Sequence, residues 1–175
     1  MRQLLIWGCV SVLWAISQAS HARQGLAVLD FELNDITSLP NTPEEQRRTA
    51  GIRPMLEQVL ADSGDYQMIA LEAGAQQRAN AGFGYLYAHA DQAAALGKQA
   101  GVDWLIVGQH RKPSFLFSYL NVQVIDTAHA VVAARFNIEM KGTHPSVVRH
   151  GVETLAGKIG VFLNDANHRR DALRN

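Results

Sequence analysis

The chain contains one cysteine among its 175 residues, Cys9, and it lies in the N-terminal stretch that we interpret as a leader. If the leader is removed, the remaining chain has no thiol. An exported protein without cysteine has no disulfide, no thiolate nucleophile and no thiolate metal ligand. These chemistries are therefore excluded from the functions considered for this sequence.

Neither sign of charge is in excess, because 16 lysines and arginines balance 16 aspartates and glutamates. The sequence shows no basic patch, so we do not expect nucleic acid as a partner. After the N-terminal stretch, no apolar run is long enough to cross a bilayer. We therefore expect no stable membrane anchor once the leader is gone.

The common catalytic motifs are missing. There is no HExxH, no Gly-x-Ser-x-Gly and no P-loop, and Gly82 and Gly84 run on into aromatic residues instead of opening a helix. Ser114 and Ser118 lie close to His110 in sequence, which we interpret as chance. Six histidines after the leader show no metal-ligand spacing and are expected in loops or in solvent: His89, His110, His129, His144, His150 and His168. We predict no catalytic residue, no metal and no cofactor.

The N-terminus is typical of a secretory signal peptide. A positive start at Arg2 is followed by a short apolar run, Leu4–Ile16, and small residues then precede a predicted cleavage after Ala22. Cleavage after Ala19 is the alternative. Residues 6–9 faintly resemble a lipobox, but the bulky Trp7 and the continuing apolar run favour a cleaved product. The sequence therefore predicts a signal peptide over 1–22 and a periplasmic location.

The mature chain reads as one globular domain over 23–165 with a polar tail over 166–175 that we expect to fray. The apolar run 26–31 predicts a central strand, and Thr42 predicts a helix start, with Glu45 completing a capping box. An apolar stripe continues this helix until Gly64: Ile52, Met55, Leu56, Val59 and Leu60.

Further elements follow along the chain. We expect a strand over 66–71, a short helix over 73–79, an aromatic loop over 82–87, a helix over 91–100 and a strand over 104–108. From Ser114 onward, apolar and polar residues alternate. This pattern predicts an antiparallel hairpin with one solvent-exposed face and a turn over 126–130. Thr143 then precedes a last helix whose inner stripe is Val148, Val152, Leu155, Ile159 and Phe162. The predicted fold is α/β (α+β), with helices on a mixed sheet of about five strands and a C-terminal hairpin followed by a helix.

Three segments resemble a domain of bacterial envelope proteins. The strand Ala27–Phe31 is similar to the start of the domain in the curli secretion lipoprotein family, and the TolB amino-terminal domain and penicillin-binding-protein activator lipoproteins resemble it too. The strand Val102–Gly108 and the hairpin turn Ile125–Val132 carry the same resemblance, with Ala130 standing where that pattern has glycine. The resemblance implies a sheet covered by helices.

A closer resemblance is to an uncharacterised exported bacterial family, DUF2380 or DUF3280. It rests on Leu29–Leu33, Ala81–Tyr85 and Lys112–Leu116. This family has no established activity, so the resemblance implies a fold and a compartment and no catalytic residues.

Two groups of residues are candidates for ligand binding. Asp30, Glu32 and Asp35 follow the first strand, where open α/β sheets often bind ligands and where carboxylates suit a divalent cation, although solvent-facing or loop-capping roles fit as well. Aromatic side chains form the second group: Phe83, Tyr85 and Tyr87 on the loop, with Phe115, Phe117 and Tyr119 beyond. We expect Phe115 and Phe117 in the core, while the loop aromatics suit either the core or a recognition surface.

These observations favour a non-enzymatic accessory or binding protein of the periplasm that engages an envelope protein. A small-molecule or divalent-cation binding protein is the first alternative. An uncharacterised hydrolase, in which a histidine meets Asp30 or Glu32 in a cleft, is the second. The sequence does not define an oligomeric state.

Overall fold

The computed structural model describes residues 23–142 and 144–174. The predicted leader, which contains Cys9, Ala19 and Ala22, lies outside the described residues. Thr143, which was predicted to precede the last helix, lies outside them as well. The elements follow one another as β1 (Gln24–Val28), β2 (Glu32–Asp35), α1 (Pro43–Ala50), α2 (Ile52–Asp62), β3 (Tyr66–Met68), α3 (Ala75–Ala79), α4 (Tyr85–Ala88), α5 (Ala90–Gln99), β4 (Trp104–Lys112), β5 (Phe117–Asp126), β6 (Val131–Lys141) and α6 (Pro145–Arg174).

The strands form one mixed sheet in the order β3-β1-β4-β5-β6, and β2 pairs with β4 off this path. The pairs among β1, β2, β3 and β4 are parallel, while β4-β5 and β5-β6 are antiparallel. The mixed α/β fold is confirmed. No strand was predicted where β2 forms. Because β1 pairs only with the first part of β4, β2 supplies backbone partners to the remainder, Gln109–Lys112.

Each face of the sheet packs on its own hydrophobic cluster. Leu26 and Val28 of β1 contribute to the cluster beneath α2 and α6, and Ala27 and Leu29 contribute to the cluster beneath α5. A strand buried on both faces has no polar positions, which explains the continuous apolar run. We name the side under α1, α2 and α6 the covered face.

The helix predicted after Thr42 is two helices, because α1 ends at Ala50 and α2 begins at Ile52. Pro54 has no N–H to donate to the carbonyl four residues earlier, so the hydrogen-bond ladder is interrupted here. The predicted stripe of α2 is correct, with Ile52 and Leu56 fully buried.

The predicted hairpin is β5-β6, and its turn contains Ala130 with a φ of +57°. Alanine here adopts the left-handed conformation that glycine adopts easily. The solvent-exposed face of the hairpin continues onto β2 and β4 as a half-buried or exposed surface, which we name the open face. It comprises Glu32, Asn34, Gln109, Arg111, Phe117, Tyr119, Asn121, Arg135, Asn137, Glu139 and Lys141.

The last helix is longer than expected. We expected a polar tail over 166–175 to fray, whereas α6 extends to Arg174. The buried stripe continues through Leu163 and Ala166, so the helix remains packed past the predicted end. Phe162 is partly buried and meets Trp104 and Phe136 edge to face, at centroid distances of 6.0 and 6.4 Å.

Two glycine substitutions test this packing in opposite directions. A Cβ on Gly108 would lie 2.3 Å from a ring carbon of Phe31, whereas a Cβ on Gly157 meets nothing within 4 Å. We expect Gly108→Ala to lower the free energy of unfolding by about 1–3 kcal/mol through overpacking. Gly157→Ala should raise it by about 1 kcal/mol, because alanine favours a helix interior. Urea unfolding measures both, and a neutral Gly108→Ala would contradict the packing described.

Candidate functional site

The side chains of the three acidic candidates lie in three different parts of the structure. Asp30 is exposed, and its carboxylate lies 3.1 Å from the guanidinium of Arg53. Gln76 clamps the backbone of Asp30 by accepting from its N–H and donating to its carbonyl. Asp30 therefore lies at a fixed position beyond the end of β1.

Glu32 lies on the open face and holds the glycine-rich segment against the sheet. Its carboxylate accepts hydrogen bonds from Asn80 Nδ2 at 2.9 Å and from the backbone N–H of Gly84 at 2.8 Å. Gly84 has a φ of +75° and is the N-cap of α4. We expected a loop over 82–87, but Tyr85–Ala88 is helical, because Leu86 buries its side chain beneath it.

Asp35 lies on the covered face with its side chain fully buried. Its carboxylate accepts from the N–H and hydroxyl of Thr37, at 3.1 and 2.7 Å, and from the N–H of Asn41 at 3.2 Å. Burial raises the pKa of Asp35. The hydrogen bonds and the charge of Lys112 lower it, and together they outweigh burial, so the pKa lies below its usual value. Asp35 is thus a buried anion that shapes the loop after β2.

A buried group of charges joins α1 to the end of the sheet. Lys112 Nζ lies 2.7 Å from Glu45 Oε1 and 4.0 Å from Asp35 Oδ2, and these three side chains are at most 6% exposed. Arg48 also donates to Glu45 Oε1, at 2.8 Å. We name Asp35, Glu45, Arg48 and Lys112 the ion cluster. The predicted capping box is therefore half correct: Thr42 accepts from the N–H of Glu45, but the Glu45 carboxylate turns inward to the cluster.

His110 is the largest departure from the sequence-based expectation. We expected a loop or solvated histidine, but His110 is fully buried beside the ion cluster. Its Nδ1 shares a hydrogen bond with the hydroxyl of Thr49 at 2.8 Å, and its Nε2 shares one with Ser118 Oγ at 3.1 Å. The alternation of the strand was the available signal, because His110 and Lys112 continue the parity of the buried Ile106.

The contact between Ser118 and His110 resembles a nucleophile and its base in composition. However, His110 is 0% exposed and Ser118 is 8% exposed, so a substrate has no path to the pair. The charged side chains nearby, Glu45, Arg48 and Lys112, are also paired with one another. The contact therefore serves to satisfy buried polar groups.

The predicted aromatic surface is rearranged. Phe83 is 63% exposed, whereas Tyr85 and Tyr87 are half-buried against the cluster beneath α5. Phe115 and Phe117, which we expected in the core, are 50% and 37% exposed.

Five exposed apolar residues lie in the segments that follow β2 and β4, up to the first residue of β5. The N–H of Ile36 donates to the carbonyl of Lys112 at 3.1 Å, so the loops after both strands leave the sheet together. We name this surface the apolar tip. It comprises Ile36, Leu39, Phe115, Leu116 and Phe117. Sequence reasoning missed Ile36, Leu39 and Leu116, although apolar residues in otherwise polar loops were a visible signal.

Both loops of the apolar tip are anchored from below. Asp35 binds the first loop, and Ser114 Oγ accepts from the N–H groups of Leu116 and Phe117 in the second. Lys112 lies 5.3 Å from the centroid of the Phe115 ring, within the range of a cation–π contact. Through Phe115, the tip therefore contacts the ion cluster.

Two other properties bear on the site. Among residues 23–142 and 144–174, no group of three or more histidine, cysteine, aspartate or glutamate side chains is placed to hold a metal ion. Across the same residues, none of the helices combines the length and hydrophobicity that crossing a bilayer requires.

A comparison with family models gives a match over most of the chain. Residues 24–159 match the model of the family DUF3280, described as "Protein of unknown function (DUF2380)". A comparison with curated proteins finds no match.

Several solved structures have a similar fold. Lipoprotein GNA1162 from Neisseria meningitidis is 10% identical, with a TM-score of 0.53 over 78% of this chain and 96% of that one. TolB from Acinetobacter baumannii is 15% identical, with a TM-score of 0.52 over 81% of this chain, which spans only 28% of TolB. A PelC dodecamer from Paraburkholderia phytofirmans is 10% identical, with a TM-score of 0.50 over 75% of this chain and 83% of that one. At these identities the likeness establishes the fold.

The burial of His110 predicts a loss of stability in acid. Burial lowers the pKa of His110 from 6.5 to about 4. Between these values the unfolded chain binds a proton that the folded protein does not, so the free energy of unfolding falls as the pH falls. We expect a loss of about 3 kcal/mol at most from this group.

Urea unfolding at pH 7, 5.5 and 4.5 measures the effect. His110→Asn should flatten the dependence in this range, whereas His168→Asn, at an exposed position of α6, should leave it unchanged. Equal slopes for the wild type and His110→Asn would show that His110 does not titrate as its burial requires.

Proposed function

We propose that this chain, which belongs to the DUF3280 family, is an exported accessory protein of the bacterial envelope that binds a protein partner and does not catalyse a reaction. The apolar tip is the observation that carries this proposal. Its members are between 37% and 74% exposed, and they lie on the loops after β2 and β4 and at the start of β5. Exposed apolar side chains grouped at one end of a sheet are typical of interaction sites in folded proteins.

The anchoring of the tip supports a binding role. Hydrogen bonds to Asp35 and Ser114 fix the two loops, and the buried Lys112 lies under Phe115. A surface that is already ordered loses less conformational entropy when a partner binds. The aromatic side chains of Phe115 and Phe117 suit central contacts of an interface.

The location is supported by two observations of different kinds. The predicted leader directs the chain out of the cytoplasm. The fold is similar to a structure named as a lipoprotein, GNA1162, and to TolB. A fold carries limited information on function, so the tip and not the fold supports the partner class.

Position-specific cross-linking tests the partner. A photoreactive amino acid at Leu116 should cross-link to one envelope protein in intact cells. The same probe at Val161, which is also exposed (66%), should not cross-link to it. Val161 lies about 24 Å along α6 from the start of that helix, and this start follows Lys141, the partner of Phe117 in the sheet. Leu116→Asp should lower recovery of that protein by about ten-fold or more, and Val161→Asp should not. Equal labelling from both positions would defeat the proposal.

A second candidate function is binding of a small polar molecule. A cleft of about 330 Å³ lies beyond the carboxyl end of β1, and its lining includes Asp30, Arg53, Glu72 and Gln76. After β1 the chain crosses to β3 on one side and then to β4 on the other, and such a switch point is a common ligand position in α/β sheets. This observation favours the acidic candidate Asp30 over Glu32 and Asp35.

Calorimetric titration separates this candidate from the first. A panel of divalent cations and polar metabolites should include one that releases heat with the wild type and not with Asp30→Ala. Leu116→Asp serves as the matched control, because it alters the other site and should bind the same compound normally. No heat from any member of the panel would remove this candidate.

A further inference from the structure

The edges of the sheet are protected unequally. The edge strands β2 and β3 have four and three residues, whereas β6 has 11. Short edge strands give little template for pairing, but a long one presents a row of backbone N–H and C=O groups. In the part of the chain that the structure describes, β6 pairs with β5 alone. Every second residue of β6 therefore directs its backbone groups away from the sheet.

A bulge limits which part of this edge is regular. Val124 pairs with Ala134 and Ile125 pairs with Val132, so Ala133 is the extra residue. The regular edge therefore begins at Ala134 and continues to Lys141. A second strand that pairs here must fit this stretch.

The charges along the regular edge are self-complementary. Arg135, Glu139 and Lys141 project from the open face of β6. If two copies of β6 pair antiparallel about a two-fold axis at Asn137, Arg135 of each copy lies opposite Glu139 of the other. This register also matches Ala134 with Met140, so it uses the seven residues next to the bulge.

Neighbouring registers are less favourable. An axis at Arg135 or at Glu139 places like charges opposite each other. An axis at Ile138 opposes Arg135 to Lys141. Like charges directly opposite in a sheet are destabilising, and opposite charges are stabilising. An axis at Phe136 forms no ion pair, and an axis at Met140 pairs too few residues.

The covered face fits the same register. Phe136 of one copy would lie opposite Ile138 of the other, so the apolar surface under α6 continues across the axis. A groove of about 540 Å³ between β6 and α6, lined in part by Ile138, Met140 and Gly151, leaves room beside the edge. We infer that the chain self-associates as a two-fold dimer in which β6 pairs with β6 of a second copy about Asn137, forming a continuous sheet. This inference is independent of the partner at the apolar tip.

A charge exchange tests the dimer. Protein purified after expression of the full chain should sediment as a dimer. Arg135→Glu and Glu139→Arg should each raise the dimer dissociation constant by about ten-fold or more, and the double variant should restore it. Arg111→Glu makes the same change on the open face of the interior strand β4 and should have no effect. A monomeric wild type, or an assembly unaffected by the single reversals, overturns the inference.

A cysteine at the axis gives a second readout that does not depend on charge. Residues directly opposite in antiparallel strands have Cα atoms about 4.5–5.5 Å apart, which suits a disulfide. In a Cys9→Ser background, Asn137→Cys should form a covalent dimer on oxidation, while Arg111→Cys should not. Failure of Asn137→Cys to cross-link while circular dichroism shows a folded protein would also overturn the inference. Cross-linking from Leu116 should persist in Arg135→Glu, so the two proposals fail separately.

Discussion

The contact between Lys112 and Glu45 is the constraint on which the functional end of the molecule depends. It joins the last residue of β4 to the first turn of α1, and it places Asp35 and the loops of the apolar tip around one buried cation. A buried ion pair adds little net stability, because desolvation offsets much of the attraction. Its effect here is geometric, since each buried charge accepts only a narrow range of partner positions. The ion cluster therefore contributes to the position of both loops that carry the tip, through Asp35 and Lys112.

Local patterns predicted the parts of the fold that local physics determines. The hairpin β5-β6 follows from a period of two, the stripe of α2 from a period near 3.6, and the central position of β1 from an unbroken apolar run. These patterns depend on which face of one element is buried. The end of α6 was missed because residues 164–169 are polar except for Ala166.

The site was less predictable because it depends on contacts between distant segments. Thr49 and His110 are 61 residues apart in the chain, and Glu32 and Gln109 are 77 apart. No residue near His110 in the sequence indicates that α1 will cover it. The same applies to the acidic candidates, whose spacing indicated a shared location. After the break between β1 and β2, Asp35 lies on the covered face, whereas Asp30 pairs with Arg53.

The late position of β4 in the chain has a consequence for the order of assembly. β4 pairs with β1, β2 and β5, so the two N-terminal strands share a neighbour that is synthesised about 80 residues later. Until β4 arrives, Glu45 and Asp35 have no lysine to approach, and the apolar side chains near them lack a scaffold. A ribosome, or a translocation channel that releases the chain from its amino end, therefore handles an incomplete domain for most of its length, which is the interval in which chaperones act.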